Sequence, residues 1–501
     1  MTEVRVLTIA DALRRAGLLV SELGVFPQFV SAIADDSRAV AASTLFLAVR
    51  GTERDGHDYL DRAERGGASL VVVDDQSRTA LPALVVTDTR RAAAVAAAAF
   101  YGEPANDLRL VGVTGTNGKT TTVGMLRHLL DEPGQRAASI GTLGVLVGSE
   151  GAEFPGGGGL TTPGPVELQR VLRALYNAGV RVVAMETSSH ALHQRRVDGL
   201  SFEAAVFTNL TRDHLDYHLT MDAYLQAKAL LVALLKESGT AVVNADDRAW
   251  DALPEAPRTL RFGLSSRADV RADQVIYGSR GSSWTLTLNG EAHDVRLPLI
   301  GDFNVANALA AAAAARAMGL EPATIAARLS TLPQVPGRLE IISEVPVVLR
   351  DYAHTPDALS RALDAVRPFA TGPLIVVFGC GGDRDRGKRP EMGRIAEAKA
   401  DHVIVTSDNP RTEDPDRILD DIEAGMASGT HERIVDRREA IARAIVIART
   451  KLAHAGAEAK AEAPVVLLAG KGHETYQVRG TVKYPFDERE IVDKILTETM
   501  N

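Results

Sequence analysis

In the middle of the chain four strand-length apolar runs, "LRLVGVTG", "VRVVAMET", "EAAVFTNL" and "TAVVNADD", alternate with Ala- and Leu-rich stretches of helical character. That alternation constrains the fold more than any other feature. Strands that run in the same direction need a crossover, and a helix provides it while covering the sheet face. The pattern continues on both sides, with "TLFLAVRG", "SLVVVDD" and the helical "DTRRAAAVAAAAFYG" before it and "VVLRDYAH", "PLIVVFGCGG", "HVIVTSDNPR" and "PVVLLAGKGHE" after it. The expected class is α/β with parallel sheets. At 501 residues the chain exceeds one core, since domains run to ~100 to 200 residues. Breaks at "EPANDL" and "LPQVPGRLE" divide it into three expected domains: 1–103, a P-loop domain at 104–338, and a Rossmann-like domain at 339–501. Each of the last four runs ends in a polar loop, and those after "PLIVVF" and "PVVLLA" contain glycine. Ligands collect at the carboxyl ends of strands in open α/β sheets, so those four loops are expected to line one crevice.

Composition sets limits. The hydrophobic fraction of 45% and charged fraction of 24% are those of an ordinary globular protein, and a net charge of -9 argues against a chain built to coat nucleic acid. "MTEVRVLTIADALRRAGLL" lacks the features of a secretory signal, and no apolar stretch is long enough to span a bilayer. A single cysteine forms no internal disulfide, which fits the cytoplasm. Cys380, in "FGCGGDRD", reads as a small residue packed where space is short, with a nucleophilic role as the alternative.

The segment "GVTGTNGKTTT", residues 112–122, falls between a strand and the helical "VGMLRHLLDE". There the backbone of Gly115, Thr116, Asn117 and Gly118 can wrap phosphates at a helix N-terminus. Lys119 can reach the terminal phosphates, and Thr120, followed by Thr121, offers a hydroxyl to Mg²⁺. The match to a Walker A pattern is incomplete, because Val113 stands where its first glycine belongs. No Asn-Lys-x-Asp motif points to guanine, so ATP is the expected nucleotide. Two further strand ends can reach a cation on those phosphates: Glu186 in "VVAMETSSHAL", through oxygen, and His214 in "FTNLTRDHLDYH", through nitrogen or water. A helix cap and a loop histidine are the plainer readings of the two.

Lys228 is out of character for its position. In "TMDAYLQAKALLVALLKES", Tyr224, Lys228, Leu231 and Leu235 fall at i, i+4, i+7 and i+11, which puts a lysine on the apolar stripe of a helix. Snorkelling, an acid partner, a lowered pKa or chemical modification would each resolve the cost.

The motifs "TGTNGKTT", "METSSHAL", "FTNLTRDHLDYH", "NADD", "GDFNVANALAA", "PGRLE", "DYAHTPDAL", "FGCGGDRDRGKRP", "DNPRTEDP" and "GKGHE" stand in one order along nearly the whole chain. Together they resemble the Mur ligases of peptidoglycan synthesis, in particular the branch that adds the third residue to UDP-N-acetylmuramoyl-L-alanyl-D-glutamate. The resemblance implies an ATP-dependent ligase: ATP phosphorylates the γ-carboxylate of D-Glu, and the amine of an incoming amino acid attacks the acyl phosphate. It implies that Lys228 is carbamylated and binds Mg²⁺ beside Thr120, Glu186 and His214. It further implies that Asn304 contacts adenine and that Arg338 and Asp351 approach the nucleotide. Read without the family, Asn304 could instead cap the Ala-rich helix after it.

The resemblance assigns the UDP-sugar to the N-terminal segment, at Asp36, Ser37 and Arg38, and the peptide arm to Thr161, Thr162, Ser188, Gln194 and Arg196. Leu160 departs from relatives that carry Asn before the threonine pair. In "DNPRTEDP" it implies that Asp408, Asn409, Pro410 and Arg411 read a carboxylate of meso-diaminopimelate, with Arg384 nearby and Gly470 and Glu474 at the other end. Arg411 tied to Glu413 or Asp414 on the surface is the plainer alternative. Two other functions stay open: the same ligase adding L-lysine, and a P-loop switch that hydrolyses ATP without ligation. A monomer with no nucleic-acid or membrane partner is expected.

Overall fold

The computed structural model describes residues 3–52, 54–157, 159–278, 280–455 and 463–498. The chain divides into two compact units. The first holds residues 1–273, 286–293 and 306–329, and the second holds 274–285, 294–305 and 330–501.

The first unit contains two larger sheets besides a short antiparallel pair of Val4–Arg5 with Phe29–Val30. In the N-terminal one, Leu19–Leu23 runs antiparallel to Ala83–Val86, and Ala68–Val73, Thr44–Leu47 and Ala32–Ala34 follow in parallel. The helix Thr89–Phe100 covers it and buries a run of alanines, with Asp88 capping its first turn through the Arg90 and Arg91 amides at 2.9 and 3.1 Å. In the larger sheet six strands run parallel in the order Arg136–Gly141, Val180–Glu186, Arg109–Thr114, Phe202–Phe207, Leu235–Asn244 and Arg258–Gly263. Every residue of Arg109–Thr114 after the first is buried. That is the pattern of a central parallel strand covered on both faces.

The second unit is built on a sheet in which Val347–Asp351, Val465–Ala469, Leu374–Phe378 and His402–Val405 are parallel neighbours. Parallel neighbours end on the same side, so the loops after all four strands emerge together, as expected. Cys380, on one of them, is buried with its Sγ 3.7 Å from Met392 Sδ, and burial pushes its thiol up to about 12. It is a packed residue with no thiolate to offer. Among the described residues no helix is long and apolar enough to cross a membrane.

Candidate active site

The strand Arg109–Thr114 runs into the loop 115–118, and the helix Lys119–Leu130 begins directly after it. Gly115 has φ 148° and Gly118 φ 86°. A Cβ on the first would lie 1.9 Å from Thr208 Oγ1, and one on the second 2.2 Å from Asn307 Oδ1. Both positions therefore require glycine. Asn209, on the neighbouring strand's loop, fastens the turn. Its Oδ1 accepts from Asn117 N at 2.9 Å, its Nδ2 donates to Asn117 O at 3.1 Å, and its carbonyl accepts from Thr116 N at 2.7 Å.

Two lysines converge on this loop. Lys119 Nζ donates to the carbonyls of Gly115 and Thr116 at 3.0 and 2.8 Å, and Lys228 Nζ donates to the same Gly115 carbonyl at 2.7 Å. Lys228 is buried, with its Nζ 4.3 Å from the centre of the Tyr224 ring. Burial, aided by the charge of Lys119, holds its amine well below the usual lysine range. Snorkelling is thereby ruled out. The expected stripe is correct for Tyr224 and Lys228, both buried on the helix; Leu231 is buried too, but in the turn after it. The stripe fails at Leu235, because the helix is Met221–Ala229 and Leu235 opens a strand that pairs with Phe202. Parallel pairing overrides the helical composition of "ALLVALLKES".

Glu186 ends the strand beside the P-loop strand, in register with Val113. Its Oε1 accepts from Thr142 N at 2.8 Å and its Oε2 from Thr142 Oγ1 at 3.3 Å. It does not cap the helix after it. Ser188 does, accepting from Ala191 N at 3.2 Å. His214 has φ 54° and is half-exposed, with its ring edge-on to His190 at 4.8 Å and to Tyr224 at 6.1 Å. Thr120 and Thr121 are buried in the first turn of the P-loop helix.

The residues expected to take the peptide arm lie together. Thr162 Oγ1 donates to Glu186 O at 2.8 Å and accepts from Ser188 N at 3.0 Å. Thr161 Oγ1 is 3.3 Å from Thr142 Oγ1, and Arg196 bonds Gln194 Oε1 and the Thr162 carbonyl. Gln194, Arg196 and Leu160 line a cavity of about 590 Å³, together with Asp36, Ser37 and Arg38. Asp36 caps the turn Ser37–Ala39 and pairs with Arg38, whose guanidinium holds its carboxyl down at about 2.

In the second unit, Asn304 lies inside the helix Asp302–Ala317, and its Nδ2 donates to Ile300 O at 2.8 Å. The capping alternative is thus incorrect, because the helix starts two residues earlier. Asp351 is buried and accepts from Leu339 N and Ala353 N at 2.7 and 2.8 Å, while the Arg338 guanidinium lies 5.0 Å from the Tyr352 ring centre.

The "DNPR" loop is clamped from three sides. Asn409 Nδ2 donates to Glu474 Oε2 at 2.8 Å, and its Oδ1 accepts from Lys471 Nζ at 3.1 Å and Val478 N at 2.8 Å. Lys471, fully buried, also lies 3.3 Å from Asp408 Oδ1 and 3.4 Å from Glu474 Oε2. Gly470 packs against the Asp408 carboxylate, where a Cβ would come within 3.2 Å of Oδ2. Arg411 is held at φ 52° by bonds from its N to Val478 O and from Gly480 N to its carbonyl, and its Nη1 donates to Gly382 O at 2.9 Å. It pairs with neither neighbouring acid. Glu413 is taken by Arg386 and Arg389, and Asp414 caps the next helix. A Cβ on Gly381 would lie 2.9 Å from Arg411 Nη1 and 3.7 Å from Arg384 Cγ, so the two arginines flank that glycine. The carbonyl of Pro410 supports Gly382 from the other side, 1.9 Å from where a Cβ would stand. Sequence reading missed Thr142, Asn209 and Lys471. A lysine two residues past the apolar strand "VVLLA", beyond Gly470, was the available signal for the last; the other two carry none.

Family models match three stretches of the chain. They are "Mur ligase family, catalytic domain" at 30–116, "Mur ligase middle domain" at 113–315, and "Mur ligase, glutamate ligase domain" at 337–472. The UDP-N-acetylmuramoyl-L-alanyl-D-glutamate--2,6-diaminopimelate ligase of Geobacillus kaustophilus is 43% identical over 482 residues, covering 94% of this chain and 95% of that protein. A solved structure of a ligase with the same description is 33% identical, with a TM-score of 0.68 over 96% of this chain and 98% of the other. A MurF ligase from Thermotoga maritima in complex with ADP is 20% identical, with a TM-score of 0.63 over 93% and 97%, a likeness that shows the fold alone.

Proposed function

The chain belongs to the Mur ligase family, and from that premise we propose that it joins meso-2,6-diaminopimelate to the γ-carboxylate of D-Glu in UDP-N-acetylmuramoyl-L-alanyl-D-glutamate, with ATP. The observation that carries the choice of amino acid is Arg411, which is braced through its backbone and Gly382 yet bonded to no carboxylate among the described residues. A guanidinium binds a carboxylate through two parallel hydrogen bonds, and diaminopimelate has the second carboxylate that lysine lacks. In this proposal residues 1–103 take the UDP-sugar, 104–338 the ATP and 339–501 the amino acid. The enzyme acts as a cytoplasmic monomer in precursor synthesis for the cell wall.

The reaction asks the protein for positioning and charge neutralisation more than for covalent help. The loop 115–118 and Lys119 hold the phosphates, Arg196 and Thr162 the peptide arm, and Arg411, Asn409 and Glu474 the incoming amino acid. Among the described residues no three His, Cys, Asp or Glu side chains form a metal cluster of their own. Thr120 and Glu186 would offer oxygen to a Mg²⁺ ion, and His214 would reach it through nitrogen or through water. Such an ion would neutralise charge on the transferred phosphoryl group. Lys228 fits the set once its neutral amine has added CO₂ and released a proton, which puts a carbamate anion where the buried amine stood. Burial, with the charge of Lys119, favours the unprotonated amine that this addition needs. The test is ADP release with ATP, Mg²⁺ and the UDP-dipeptide, with and without diaminopimelate. Release that requires the amino acid and forms the UDP-tripeptide is expected; release indifferent to it would mean a nucleotide switch.

A further inference from the structure

The cavity beside Ser37 contains a guanidinium that no motif singles out. Arg50 follows the strand Thr44–Leu47, lines the cavity and is half-exposed there. Its backbone is fixed at both ends, since its N donates to Thr89 Oγ1 at 3.1 Å and its carbonyl accepts from Arg90 Nε at 2.7 Å. Its side chain is fixed by two carboxylates, with Nε 2.7 Å from Asp74 Oδ2 and Nη1 3.0 Å from Asp55 Oδ2. The other oxygen of each carboxylate faces a single residue. His57, with a fully buried ring, places Nδ1 2.6 Å from Asp55 Oδ1, while its Nε2 accepts from Asp74 N at 3.3 Å and lies 3.1 Å from Asp74 Oδ1. Arg50 thus spans the two aspartate carboxylates on the cavity side, and His57 ties the same two residues together on the buried side, Asp55 through its carboxylate and Asp74 through its backbone amide.

This arrangement has a physical consequence. An exposed arginine normally loses rotamer freedom when it binds a ligand, and that loss weakens binding. Here the orientation is set beforehand, and Nη2 makes no hydrogen bond among the described residues. A fixed guanidinium edge at a cavity wall suits the oxygens of a phosphate group. We propose that Arg50 is a contact for the diphosphate of a nucleoside-diphosphate ligand and that His57, acting through Asp55 and Asp74, is its positioning residue. The inference rests on the reading of this cavity as the sugar-nucleotide site.

The test compares UDP with uridine by calorimetry on the full chain, because only UDP offers the oxygens. Arg50→Ala is expected to weaken UDP ~10-fold, as loss of a charge-assisted hydrogen bond does, and to leave uridine within about 2-fold. His57→Ala should weaken UDP alone by about 3- to 5-fold, and the double variant should bind no worse than Arg50→Ala, since a residue that acts through another adds nothing once the other is gone. Should His57→Ala fail to fold, Asp74→Asn replaces one charged acceptor at a partly exposed position and is read the same way. A wild type that binds neither probe overturns the sugar-nucleotide reading itself. A wild type that binds UDP while Arg50→Ala binds it equally well, or a double variant with additive losses, overturns the inference alone.

Discussion

Lys228 is the residue whose behaviour departs furthest from its type. Its ammonium would be buried against Tyr224, sharing one carbonyl acceptor with Lys119. Burial and that second charge both favour the neutral amine. If the amine carries a carbamate, Lys228→Ala should lose most activity, and added acetate should restore part of it by supplying a carboxylate to the vacated space. Activity equally low with and without acetate, in a variant of unchanged fold, would remove the carbamate from the account. The burial was legible in the sequence through the four-residue spacing from Tyr224. The bond to Gly115 was not, because it joins residues 113 positions apart, and only the pairing of strands brings them together. For the same reason Glu186 was legible as a strand-end carboxylate while its partner Thr142 was not.

At the scale of elements, the least anticipated piece is the hairpin of Tyr476–Arg479 and Val482–Pro485. Its outer edge holds the "DNPR" loop: Val478 supplies N to Asn409 and O to Arg411, and Gln477 Nε2 donates to Asp408 O at 2.7 Å. Gln477→Ala removes that neutral hydrogen bond to the loop, worth ~1 kcal/mol, along with two that its Oε1 accepts from Arg479 within the hairpin, so the KM for diaminopimelate should rise about 5-fold with the KM for ATP unchanged. Steady-state kinetics with each substrate varied would show it, and equal shifts in both KM values would mean that the hairpin merely stabilises the unit. Sequence patterns carried the parallel strands well because each is a continuous apolar run ended by a polar loop. They carried this hairpin poorly, since "TYQVRGTVKYP" is half polar and its register is set by the loop it supports. The helix overrun past Ala229 has the converse cause, helical composition recruited into a strand by a neighbour.

Across the whole molecule, three histidines are held neutral by burial. His190, His218 and His473 are each pushed down to about 4. In the unfolded chain each titrates near ~6.5, so between that pH and about 4 the unfolded state binds more protons than the native one. Stability is complete above that window and declines as pH falls through it. The melting temperature is expected to drop between pH 7 and pH 5, and a flat or rising profile would show that these rings are protonated in the folded protein. The central claim, however, concerns which amino acid the folded chain selects. It is tested most directly by kcat/KM for meso-diaminopimelate over L-lysine, measured in the wild type and in Arg411→Ala. The account predicts a wild type that strongly prefers diaminopimelate and a variant in which that preference falls by ~10²-fold, almost entirely through diaminopimelate, as loss of a bidentate charge-assisted pair requires. A wild type that prefers lysine, or a ratio unmoved by the substitution, would contradict it.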